Sequence, residues 1–169
     1  VIEEGLVLVT AEVVTDATYI AFSTYDKVKS FPAEVVAVDY EANLALLRPR
    51  NEEDRKILED MVPLPLTDTL ALSDTVELWQ FGDQGLPIIT RGSLQNFEMR
   101  SPLVAGHPFL AYQMKGAVQS LGNSFTMPVV KDNKLAGILL NYDANNQISR
   151  ILDISVIKSF IKDATDGEY

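Results

Sequence analysis

"FPAEVVAVDYEANLALLRP", residues 31–49, sets the reading of the fold. "FPAEVVAVD" (31–39) alternates or runs apolar over the length of a strand, and "NLALLRP" (43–49) continues the pattern. Such pieces, rich in β-branched and aliphatic residues, read as strands. Upstream, "LVLVTAEVV" (6–14) and "TYIAFS" (18–23) have the same character. Downstream follow "DTVELWQFG" (74–82), "LPIITRGSLQNFEM" (86–99), "FLAYQMKG" (109–116) and "MPVVKDN" with "KLAGILLNYD" (127–143). "KDNK" between the last two reads as a hairpin turn.

Other segments break the pattern. "NEEDRKILEDM" (51–61) is charged and helix-permissive, and runs of this kind are usually a solvated surface helix or loop. Pro63 and Pro65 mark a seam between two β-rich halves. At the end, Ile154, Ile157, Phe160 and Ile161 of "ISVIKSFIKDA" fall on one helical face. Many short strands and one terminal helix predict an all-β chain of antiparallel barrels or a sandwich.

Composition bounds the function. The 169 residues suffice for one large domain or two small packed halves. A net charge of -10 repels phosphate backbones and argues against a nucleic-acid partner. No apolar run is long enough to span a bilayer, so no membrane insertion is expected of this piece. The start at Val1, inside what reads as a strand, suggests a piece of a longer polypeptide. Without cysteine there is no disulfide and no thiolate chemistry, and a single histidine, His107, leaves no multi-histidine zinc site. Paired acids such as Glu3–Glu4 and Glu52–Glu53 read as solvation rather than as metal ligands or a glycosidase pair, and no glycine pattern supports a nucleotide. No metal and no cofactor is therefore expected. Tyr19, Phe22, Trp79, Phe81 and Tyr142 sit in strand patterns and are expected in the core.

Four segments, in order, resemble HtrA/DegP-type serine proteases. "EEGLVLVTAEVV" is similar to the segment that carries the family's catalytic histidine, and "FPAEVVAVDYEANLALLR" to the segment of its aspartate. "LPLTDTLALSDTVELWQFGDQG" looks like the family's L-P-L-G-D-S stretch and the strand after it. "QMKGAVQSLGNSFTMPVVKDNKLAGILL" follows the nucleophile segment, with G-N-S-G-G-P-L at its heart. The match runs from Val1 to about Ala164. It implies the trypsin-like (chymotrypsin) fold: two six-stranded antiparallel β-barrels, residues 1–62 and 63–153, a C-terminal α-helix over 154–164, and an active site between the barrels. The first barrel is expected to be incomplete, since the family's opening strand falls partly before Val1. The whole chain, 1–169, then reads as one protease domain.

The resemblance also assigns the site. The histidine position falls on Glu12, the aspartate position on Asn43 and the serine position on Ser124, while Gly122 and Ser124 take the oxyanion-hole positions. Acyl transfer by serine needs a base for its proton and a carboxylate to orient that base. A carboxylate is a far weaker base than an imidazole at neutral pH. Losing the histidine of a triad costs about 10⁶-fold in turnover, roughly 8 kcal/mol of barrier, and an acid-to-amide change alone about 10⁴-fold. His107 lies in a variable stretch before the nucleophile strand, and Asp39 matches a non-catalytic aspartate of the family pattern. In "QSLGNSFTMPVV" (119–130) Phe125, Thr126 and Met127 replace the two glycines after the serine, one residue longer before Pro128. Bulky side chains avoid the positive-φ conformations open to glycine, so the loop is expected to take another path.

The reading is therefore a non-catalytic protease homologue, with Ser124 a remnant, serving as a peptide- or protein-binding or scaffold module. The alternative is a serine endopeptidase with a non-standard or trans-completed site at Ser124. By family analogy, a homo-oligomer, an adjacent PDZ domain in the full-length chain and a place outside the cytoplasm are further expectations.

Overall fold

The computed structural model describes residues 1–24, 28–82, 86–100, 109–115 and 126–167. His107, Gly122, Ser124 and Phe125 lie outside them. The chain divides into two compact units, Val1–Pro65 with Phe160–Tyr169, and Leu66–Ser159.

The first unit is built on a four-stranded antiparallel sheet of β1 (Val7–Val9), β2 (Ala21–Ser23), β3 (Ser30–Asp39) and β4 (Leu44–Pro49), in the order β1-β4-β3-β2. Leu44, Ala45, Leu46 and Leu47 are all buried, so β4 is covered on both faces, which accounts for its continuous apolar run. Ala45, Leu47 and Val14 form a cluster into which Val7, Val9, Ile20, Phe22 and Val38 pack. The β3–β4 register slips between Val35 and Ala37, a bulge that bends the sheet. The charged stretch forms helix α1 (Glu52–Glu59), which buries Leu58, and Arg55 and Arg48 both donate to Glu34 Oε1 on β3, at 3.0 and 2.6 Å.

The second unit is a closed antiparallel barrel of β5 (Thr75–Phe81), β6 (Pro87–Arg100), β7 (Phe109–Lys115), β8 (Pro128–Lys131), β9 (Lys134–Asp143) and β10 (Ile148–Asp153), in the circular order β10-β7-β6-β5-β8-β9. Val76, Leu78, Leu94, Met114, Val129 and Ile151 are among the fully buried side chains that fill it. Asp132 and Asn133 take φ of 51° and 59°, the paired left-handed conformation of a tight two-residue hairpin between β8 and β9. Gly137 lies so close to β10 that an added Cβ would meet the Leu152 carbonyl oxygen at 2.5 Å. After β10 the chain enters α2 (Ile154–Asp166), with Asp153 Oδ1 accepting the backbone N–H of Ser155 and Ile154, Ile157 and Phe160 buried.

The all-β reading with a C-terminal helix holds, with corrections in detail. The first unit has four strands among its described residues, fewer than the six of a full barrel, in line with the incomplete first barrel expected from the sequence. Residues 6–14 are not one strand: β1 stops at Val9, because Ala11 turns to bond the carbonyl of Asn43 and Val13 N–H bonds Thr10. The chain opens on a short 3-10 turn at Glu3–Gly5 rather than within a strand. β10 carries no strand prediction at all, since "ISRILD" alternates too briefly to be seen beside the helix that follows. The aromatics divide. Phe22 and Tyr142 pack against the two cores, whereas Tyr19 and Phe81 are more than 60% exposed. Trp79 shares the outward face of β5 with Glu77 and Phe81, and its indole N–H donates to Glu77 Oε2 at 3.0 Å. Strand alternation sends Val76, Leu78 and Gln80 inward instead.

Candidate functional site

Glu12 sits in the 3-10 turn Ala11–Val13 that ends β1. Thr10, buried and extended, sets the turn, and its hydroxyl donates to Glu12 Oε1 at 3.2 Å. Asn43 ends the β3–β4 turn with φ of 56°, a left-handed conformation that asparagine tolerates better than most residues. That turn is fixed from its start: Asp39 Oδ1 accepts the N–H groups of Glu41 and Ala42 at 2.8 and 3.0 Å. Asp39 is thus committed to shaping the turn.

Two hydrogen bonds then tie the turns together. Ala11 N–H donates to the Asn43 carbonyl at 3.1 Å, and Glu12 N–H donates to Asn43 Oδ1 at 3.2 Å. Two of the three residues assigned from sequence are therefore neighbours, and Ser124, with Gly122, falls outside the described residues. The pair offers an exposed carboxylate with one oxygen occupied by a hydroxyl, and a neutral amide whose oxygen is occupied by a backbone N–H. An ionised carboxylate only accepts hydrogen bonds, so neither residue supplies the donor-and-acceptor ring with which an imidazole relays a proton. The Thr10 hydroxyl, which orients Glu12, was not singled out by sequence; a threonine two residues before the site is the only trace of it.

The described end of the nucleophile segment is anchored in the barrel. Thr126 has φ of 53°, so a β-branched residue does enter the left-handed region that the sequence reading reserved for glycine. Met127 packs against the barrel core, and its carbonyl accepts the N–H of Leu139 at 3.0 Å. Among the described residues no group of three or more His, Asp or Glu is placed to hold a metal ion. No described helix is long and apolar enough to cross a membrane.

No family model matches the chain. It is 30% identical over 172 residues, the whole of this chain, to Protease Do-like 4, mitochondrial, of Arabidopsis thaliana, and covers 32% of that protein. It is 29% identical over 163 residues, 95% of the chain, to Putative protease Do-like 3, mitochondrial, of the same plant, and covers 28% of it. The chain thus spans about a third of the length of these relatives. Among solved structures, the active form of the Rv3671c protease of M. tuberculosis superposes with a TM-score of 0.77 at 16% identity, over 96% of this chain and 70% of that one. The inactive form gives 0.75 at 18% identity, over 97% and 81%. At such identities the likeness is one of fold.

Proposed function

Since this chain is a homologue of the Do-like (HtrA-type) proteases on a trypsin-like fold, we propose that it is a non-catalytic member that works by binding or assembly. The observation that carries the reading is the Glu12–Asn43 pair. The residues aligned with the family's histidine and aspartate are hydrogen-bonded neighbours, yet they bring a carboxylate and an amide to the place of a base and its orienting acid. Without an imidazole at residue 12, that position offers no group to take the proton of Ser124 as it attacks and return it to the leaving amine. The site's parts instead hold two turns together, which is a structural use of the same positions.

A serine-directed fluorophosphonate probe tests this, because labelling depends on an activated hydroxyl. The expected result is no labelling of Ser124 and no cleavage of unfolded casein above buffer. Stoichiometric labelling at Ser124 would overturn the proposal and put a serine endopeptidase with a non-standard site in its place.

A further inference from the structure

The outer face of β5 and β6 carries an apolar patch open to solvent. The strand register sets Trp79 opposite Ile89 and Phe81 opposite Pro87. Glu77, Trp79 and Phe81 share this face of β5 because the alternate residues, Val76, Leu78 and Gln80, are buried in the barrel. Phe81 is 63% exposed and Ile89 48%, Pro87 is exposed, and Trp79 is half-buried. Asp83, Gln84 and Gly85, which join the two strands, include no apolar residue that could cover them. At the other end of the patch Glu77 Oε2 accepts the indole N–H at 3.0 Å, and Glu77 Oε1 accepts from Arg91 Nε at 2.9 Å. One carboxylate thus holds the ring in place and borders the apolar residues with an ion pair.

Size, charge and spacing select the occupant. The exposed parts of the four side chains amount to on the order of 300 Å². A stable dimer buries about 800 Å² on each partner, and two copies of net charge -10 repel each other, so a second copy fits poorly. The face lies on the outside of a closed barrel and lacks the concavity that a small molecule needs. An extended polypeptide suits it. Alternate side chains of such a segment project to one side about 6.7 Å apart, the spacing of Trp79 to Phe81 and of Pro87 to Ile89, and two or three of them match the area. Since β5 is paired with β6 and β8, and β6 with β5 and β7, the segment is held by side chains and not by strand addition.

We propose that the face formed by Trp79, Phe81, Pro87 and Ile89 is a docking site for an extended, uncharged apolar segment of another polypeptide. The inference deepens the binding role proposed above and rests on it. Two side chains from each strand supply the contact, and Glu77 keeps the indole oriented for it.

Trp79, the only tryptophan, reports on the site directly. The test titrates the full chain with the peptide acetyl-Ser-Leu-Ser-Phe-Ser-Ile-Ser-amide and, as control, acetyl-Ser-Gln-Ser-Asn-Ser-Gln-Ser-amide. The apolar peptide should shift the indole emission to the blue and bind at least tenfold more tightly than the control. High salt should not weaken it, since no ion pair forms. Phe81→Ser and Ile89→Ser should each weaken binding several-fold with unchanged far-ultraviolet circular dichroism, because both side chains are exposed. Met99→Ser removes an equally exposed side chain from the other end of β6 and should leave binding unchanged. Equal binding of both peptides, or binding indifferent to Phe81→Ser and Ile89→Ser, would overturn the site. An equal loss in all three variants would also overturn it, by reducing it to general apolar adhesion. Self-association of the free chain that is abolished by Phe81→Ser would do so too, by giving the face to a second copy. Ser124 labelling is read separately, so failure of the non-catalytic reading and failure of this site are distinguishable.

Discussion

Asn43 Oδ1 accepts the backbone N–H of Glu12 at 3.2 Å, while the Asn43 backbone holds φ of 56°. One residue thus supplies both a left-handed turn and a bridge to the neighbouring turn, and a substitution series separates the two. Asn43→Gly keeps the backbone conformation and loses the bond, costing about 1 kcal/mol. Asn43→Ala loses the bond and strains the backbone as well, adding roughly another 1 kcal/mol. Asn43→Asp retains an acceptor oxygen and a tolerant backbone and should sit near wild type. Urea unfolding midpoints in that order, Asp above Gly above Ala, are expected; an alanine variant as stable as the glycine variant would remove the strain argument.

Trp79 gives a spectroscopic prediction because it is the only tryptophan. Its place on the outer face of β5, beside exposed Phe81, leaves the indole half-buried rather than enclosed in the core. Native emission should be quenched readily by acrylamide, and Trp79→Ala should cost about 1 kcal/mol rather than the 3–5 kcal/mol of a core tryptophan. Leu78→Ala, one residue away and fully buried, should cost about 2–5 kcal/mol. Reversal of that ranking would mean the strand faces are interchanged.

These two residues also show what the sequence could and could not tell. The strand pattern around Asn43 was legible because a continuous apolar run, "LALL", has few outcomes other than a strand buried on both faces. Trp79 was misplaced because aromatic residues suit strands on either face, and only the barrel's closure decides which parity points inward. Residues 10–14 failed for a different reason. Their apolar content continues that of β1, but the turn there is imposed by bonds to Asn43, thirty-one residues away in sequence. Likewise, the family segments identified Glu12 and Asn43 as counterparts of catalytic positions, whereas their mutual hydrogen bond and the role of Thr10 depend on contacts that no local pattern encodes.

Lys131 and Asp74 yield a pH prediction. Lys131 Nζ lies 2.7 Å from Asp74 Oδ2, and the Ala71 N–H donates to the same oxygen at 2.8 Å. The hydrogen bond from Lys131, then that from Ala71, holds the Asp74 carboxyl below its ordinary range. A folded value below the unfolded one stabilises the protein above the unfolded pKa, about 3.9, and that contribution is lost as pH falls through the folded value. Lys131→Met removes the largest cause, so it should lower stability at pH 7 and lower it less as the pH falls toward the folded value of Asp74. Denaturation midpoints at pH 7, 4 and 2.5 measure the convergence. A difference that stays constant from pH 7 to 2.5 would show that the lysine contributes by packing alone.

The last prediction concerns restoration of catalysis. Glu12→His with Asn43→Asp returns the family's side chains to both positions, and the acid keeps an acceptor for the backbone N–H at residue 12, so the turn should survive. Activity should nevertheless stay absent. In the nucleophile segment Thr126 already occupies a left-handed conformation, and Met127 is fixed by its side chain in the core and by its carbonyl on Leu139. The loop therefore reaches its anchor with one residue more than the family pattern, and a new histidine does not correct that. The double variant should fold, as judged by an unchanged far-ultraviolet spectrum, and take up no fluorophosphonate. Replacing "FTM" (125–127) with Gly-Gly in the same background restores the family's length and backbone freedom, and detectable labelling of Ser124 is expected only then. Removing Met127 also empties its place against the core, so the triple variant should unfold earlier by about 2–3 kcal/mol. Labelling by the double variant alone, at a rate near that of an active serine protease, would show that the missing base was the sole defect and that the loop had kept its catalytic form.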